Sequence, residues 1–190
     1  MKTFLKIFVV ALFIGLFSSC INDDDGTITP DPMPIKRGDV EVNRFVILFT
    51  PRTGGGAAQV FEFYDQDGSG GNAPQKNETW TLISGFSGGI NSYNAEIKFY
   101  LDSLEVTDQI EARGNNYIAC YRDMNTNNFR LGDSNVDGNG LKLGTETTWQ
   151  VVSSGTGNVK ISLNYIHLNK EGLCDVGVRI FEATIDYQHQ

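Results

Sequence analysis

Two loops in this chain of 190 residues place oxygen-bearing side chains at alternate positions. The first reads Asp65-Gln66-Asp67-Gly68-Ser69-Gly70-Gly71-Asn72, and the second Asp133-Ser134-Asn135-Val136-Asp137-Gly138-Asn139-Gly140. Such a pattern can turn several oxygens onto one hard cation. Asp133, Asn135, Asp137 and Gly138 fit positions one, three, five and six of an EF-hand loop. The twelfth position should hold a bidentate carboxylate, but it is Lys76 in the first loop and Gly144 in the second, and no helical pattern follows either. Asp65, Asp67, Asp133, Asn135 and Asp137 are therefore candidate ligands for a weak Ca²⁺ site. The competing reading is that both loops are hairpin turns, because Asp-Gly and Asn-Gly supply left-handed backbone at low cost.

Other chemistry is sparse. His167 and His189 stand in no zinc-ligand spacing with Cys120 and Cys174. No Gly-x-Ser-x-Gly elbow and no His-Glu-x-x-His motif occurs, and the glycines of Arg52-Thr53-Gly54-Gly55-Gly56 lack the lysine and helix of a phosphate loop. That run reads as a hairpin turn. Carboxylates such as Glu62, Asp102 and Glu111 are scattered, and Trp80, Trp149 and the seven tyrosines read as core or sheet-face residues before sugar-stacking ones. A hydrolase would need two carboxylates converging on a concave site. Cys120 and Cys174 are open to a disulfide or to life as two separate buried thiols, since only geometry decides between them.

These residues must be positioned by strands. Short runs rich in Val, Ile, Phe, Tyr and Thr alternate with Gly, Asn and Asp clusters, which predicts strands at 39–50, 58–65, 78–83, 92–101, 116–122, 147–153, 158–168 and 175–187. In the seventh, Val159, Ile161, Leu163 and Tyr165 alternate with Lys160, Ser162 and Asn164, so one face is buried and the other wet. Gly155-Thr156-Gly157 reads as a turn. Asp108 to Glu111 could make one helical turn with Asp108 as N-cap and Glu111 three residues on. About eight strands with glycine-rich connections predict an all-β fold, a single antiparallel β-sandwich over 38–190, with a soluble closed barrel as the competitor.

Ahead of that domain the composition changes. Lys2 and Lys6, an apolar run from Ile7 to Phe17, and Ser18-Ser19 before Cys20 make a three-part secretory signal over 1–19. The apolar run is too short to span a bilayer, which takes about 20 residues. Residues 20–37 form a tether: Asp23, Asp24 and Asp25 follow the cysteine, and three prolines lie within Pro30 to Pro34. Without the leader, 13 basic residues face 23 acidic ones, a net charge of −10. A domain of that charge lacks the Lys and Arg clusters that nucleic-acid binding requires.

Ser18-Ser19-Cys20 and the acidic run behind it resemble the lipobox and acidic export tag of Bacteroidetes surface lipoproteins, with Phe17 standing where that family usually has an aliphatic residue. The resemblance implies cleavage before Cys20, acylation of Cys20, export directed by Asp23, Asp24 and Asp25, and an outer-membrane, surface-exposed location. More than one acyl chain is what makes such an anchor stable. The resulting expectation is a non-enzymatic surface module that binds an extracellular ligand or assists an outer-membrane transporter, requiring no cofactor unless the loops take Ca²⁺. The alternatives are a structural or adhesive envelope module and a weakly Ca²⁺-dependent glycan-binding domain.

Overall fold

The computed structural model describes residues 40–52, 56–67, 72–82, 91–124, 128–167, 170 and 174–189. Cys20, Asp23, Asp24 and Asp25, with the rest of residues 1–39, lie outside the described residues, as do residues 53–55 and 68–71 of two glycine-rich loops.

Alternation builds the strands. In β1 (Arg44–Pro51), Phe45, Ile47 and Phe49 point inward while Arg44, Val46, Leu48 and Thr50 face out. The same period runs through β2 (Gln59–Tyr64), β5 (Asn91–Leu101), β9 (Lys142–Val151), β10 (Gly155–Tyr165) and β11 (Val178–His189). With β3 (Lys76–Asn77), β4 (Trp80–Leu82), β6 (Leu104–Glu105), β7 (Tyr117–Asp123) and β8 (Phe129–Val136), these strands form two sheets. The first has the order β3-β2-β1-β5-β9-β8, with β6 paired to β5. The second has the order β4-β11-β10-β7. All pairs are antiparallel except β4 with β11. The protein is an all-β sandwich with no closed barrel.

Between the sheets lies an aromatic core. The Phe49 ring stands edge-on to Trp80 and Trp149, each with centroids at 5.3 Å, and to Phe61 and Tyr93, each at 6.1 Å. Such edge-to-face pairs add about 0.5–1.5 kcal/mol each beyond the area they bury. Both tryptophans are buried and serve the core. The sandwich is tied along one side where Tyr121 of β7 donates its hydroxyl proton to the Gly144 carbonyl of β9 (2.8 Å). Gly144 has φ +86°, and a Cβ there would come within 2.1 Å of the Ala119 carbonyl oxygen, so only glycine permits this approach.

Three strands were not anticipated from the sequence: β3, β6 and β8. Gly155, Thr156 and Gly157 are the first residues of β10 rather than a turn, because β11 runs long enough to pair with each of them. The helix α1 (Thr107–Ala112) starts two residues earlier than the capping-box pattern proposes. Val106 is its N-cap, and no side chain caps it. Asp108 sits inside the first turn, and Glu111 instead accepts a hydrogen bond from the Thr145 hydroxyl (2.7 Å).

Candidate functional site

The first half of the second acidic loop is strand. Asp133, Ser134, Asn135 and Val136 belong to β8, and only the residues after them turn the chain into β9. This difference decides what their oxygens do. Asn135 Oδ1 accepts the N–H groups of Gly144 (3.0 Å) and Glu146 (3.1 Å), while its Nδ2 donates to Thr145 Oγ1 (2.7 Å). Asp137 Oδ1 accepts the N–H groups of Asn139 (2.8 Å) and Leu141 (3.0 Å), which closes the hairpin turn. Its Oδ2 faces an ammonium, Lys170 Nζ, at 3.1 Å. A lysine therefore stands where the EF-hand pattern would put a cation.

In the first loop, Asp67 Oδ2 accepts both the backbone N–H (2.7 Å) and the side-chain amide (2.8 Å) of Asn72, and these bonds hold its carboxyl below the usual range. Asp65 is buried at the end of β2, its N–H bonded to the Asn43 carbonyl (2.9 Å). Among the described residues, no three His, Cys, Asp or Glu side chains converge as a metal site. Asp67, Asn135 and Asp137 spend side-chain oxygens on hydrogen bonds within the strand and turns that carry them.

Cys120 and Cys174 are joined in a disulfide with Cα atoms 5.7 Å apart. It pins the connection between β10 and β11 over a small cluster of Ile118, Cys120 and Ile166 on the outer face of the second sheet. Asn164 Nδ2 donates to the Cys174 carbonyl (2.8 Å), fixing that loop from beneath. The His167 ring stacks on Tyr165. His189 is buried, and desolvation lowers its pKa.

A concave surface lies elsewhere, on the outer face of the first sheet, where a groove of about 530 Å³ crosses β1, β5, β9 and β8. Register assembles it in two rows. One runs Val60, Leu48, Glu96, Glu146, each residue the cross-strand partner of the next. The other runs Thr50, Asn94, Thr148. Irregularities between Leu131 and Ser134 and between Ser134 and Val136 break the pairing of β8 with β9. Bulges of this kind bend a strand and re-aim its side chains, and here they bring Asp133, Ser134 and Asn135 to the groove as its wall. Gly132 keeps the wall open, since a Cβ there would meet Thr148 Oγ1 at 2.4 Å.

The groove is acidic and hydroxyl-rich. Glu96 and Glu146 are directly opposed, Asp133 stands on the wall, and Lys98 approaches Glu96 only to 3.8 Å while also pairing with Glu105 at 3.5 Å. Like charges placed directly across a ladder are destabilising. The floor offers Leu48, and exposed Val60 stands beside it in the same row. Among the described residues, no histidine or cysteine lines this groove.

Sequence reasoning missed the groove because it missed β8. Only the Asp133 and Asn135 oxygens, read there as metal ligands, signalled it.

No family model matches this sequence, and neither a curated protein nor a solved structure matches it.

Proposed function

We propose that this chain is a lipid-anchored surface lipoprotein whose β-sandwich captures a ligand in the outer-sheet groove without turning it over. The anchor rests on Cys20 and the acidic run behind it. The binding role rests on one observation: a groove of about 530 Å³ in which Glu96 and Glu146 face each other across the ladder, a placement of like charges that is expected to destabilise a sheet. Arrangements that lower stability concentrate at functional sites. Three carboxylates repel anions, and the hydroxyls and amide beside them suit a polyol or an amine, so the ligand class is a neutral glycan or a cationic peptide. Supply of such a ligand to an outer-membrane transporter is the role that fits a tethered binder.

Three measurements test this reading. Metabolic labelling with a radioactive fatty acid should mark the wild-type chain and not Cys20→Ala, and protease added to intact cells should remove the domain. Label on the Cys20→Ala chain would sink the anchor assignment. Titration of the full-length chain in detergent with neutral oligosaccharides and Lys/Arg peptides should give saturable binding that Glu146→Gln weakens at least tenfold. Equal affinity of the variant would remove the groove from consideration.

A second reading, glycoside hydrolysis, draws on the same opposed Glu96 and Glu146, since paired carboxylates serve that reaction. Among the described residues that line the groove none is aromatic, so a sugar ring has no stacking platform, which counts against hydrolysis and favours the cationic peptide among the ligands. Release of reducing ends from any glycan that binds, abolished in Glu96→Gln, would reverse that preference.

A further inference from the structure

Away from the groove, one buried pair of reactive groups takes no part in binding. Lys170 lies between β10 and β11, and Asp137 lies at the tip of the β8–β9 hairpin. Their side chains are each 1% exposed, with Lys170 Nζ 3.1 Å from Asp137 Oδ2. Nζ also donates to the Gly114 carbonyl at 2.7 Å. Gly114 reaches this position because it has no side chain, since a Cβ there would sit 3.1 Å from Asp137 Cβ. On the other side of the carboxyl, Oδ1 receives the N–H groups of Asn139 and Leu141 at 2.8 and 3.0 Å. An ammonium, a carboxyl carbon and two donors for a developing oxyanion are thus held together, with both reacting side chains buried.

We propose that Lys170 and Asp137 condense to an amide, an internal cross-link between the β8–β9 hairpin and the β10–β11 connection. Nζ first passes a proton to Oδ2, its existing hydrogen-bond partner, and becomes a free amine. Its lone pair then forms a bond to Cγ, and the electrons of the carbonyl move onto Oδ1, where the Asn139 and Leu141 N–H groups receive the charge as an oxyanion hole would. Collapse restores the carbonyl and breaks the Cγ–Oδ2 bond. A second proton from nitrogen leaves with Oδ2 as water. One ammonium and one carboxylate become one amide and one water, so charge and atoms balance without an oxidant or co-reactant.

Three physical effects favour the step. Holding both groups in contact replaces a bimolecular encounter by an intramolecular one, worth effective molarities of about 10⁵ M or more for well-aligned groups. Burial works against a pair of opposite charges, and it pushes the Lys170 ammonium toward the free amine. Exclusion of water disfavours the reverse hydrolysis. One effect opposes it. Burial pulls the Asp137 carboxyl upward, but the Leu141 and Asn139 N–H groups and Lys170 outweigh burial and keep it ionised. The first proton transfer is therefore slow, and the cross-link forms only after the fold has assembled the site.

The test is peptide mass spectrometry on the purified full-length chain, denatured, reduced, alkylated and cut with trypsin. A cross-linked Lys170 resists cleavage, so the segments 131–142 and 161–179 should appear as one branched species lighter than their sum by one water. The species should accumulate with time in folded protein, stay absent from chain held in denaturant, and be absent from Lys170→Arg, which keeps the cation. Only free 131–142 and 161–170 from protein whose Cys120–Cys174 bridge is intact would overturn the proposal. This readout requires neither ligand nor lipid, so it stands or falls apart from the groove.

Discussion

Glu96 and Glu146 are the residues at which stability and binding pull in opposite directions. Replacing Glu146 by Gln should raise the urea midpoint by an amount equivalent to about 0.2–1 kcal/mol, because a like-charge cross-strand pair is relieved. A loss of stability on that substitution would mean that the pair is compensated within the fold. Glu62 behaves in the opposite sense. Burial raises its pKa, but the hydrogen bonds from Lys76 and Arg44 prevail and hold its carboxyl below the ordinary value of 4.5. A depressed folded-state value means that the stabilisation is complete above the unfolded value and is lost as pH falls through the lower, folded one. Thermal melts should therefore show a drop below pH 4.5 that is shallower in Glu62→Gln. None of these partnerships was legible in the sequence. Glu96 lies 50 positions from Glu146, and Asp137 lies 33 from Lys170; register and loop packing, not local pattern, bring each pair together.

Elements were legible in proportion to how one-sided their environment is. β1, β5, β10 and β11 bury one face and wet the other, so period-two alternation announces them. β8 is an edge strand with most of its residues exposed, and its sequence Phe-Arg-Leu-Gly-Asp-Ser-Asn-Val carries turn-forming residues throughout. Nothing in it signals a strand until β9 is there to pair with. The two-residue strands β3 and β6 are too short to show a period at all. The core is the complementary case. Phe49 belongs to a strand anticipated from alternation, yet its four aromatic neighbours come from β2, β4, β5 and β9. Phe49→Ala should cost about 3–5 kcal/mol in chemical denaturation, with an unchanged m-value if the remaining rings do not collapse into the space.

For the molecule as a whole, the two cysteines were an open question that only Cα geometry could answer. Their bridge spans 54 positions, and in the chain-entropy account a loop of that size stabilises by about 4 kcal/mol. Cys120→Ser combined with Cys174→Ser should lower the denaturation midpoint accordingly, while wild-type protein in reductant should converge on the same value once the bridge opens. The all-β class and the sandwich were readable from composition and period; the sheet order was not, because β5, β9 and β8 join β1 across long stretches of chain. Order along the chain has one more consequence. β11 follows every other strand of its sheet, yet it is an interior strand, and β4 has only β11 as a neighbour. Until Val178–His189 has emerged from the ribosome, Trp80 has no strand to pair beside and one edge of β10 lacks its partner. The second sheet thus cannot be completed before the last strand is present, so a nascent chain stalled before Val178 should be cut by protease more readily than the finished domain.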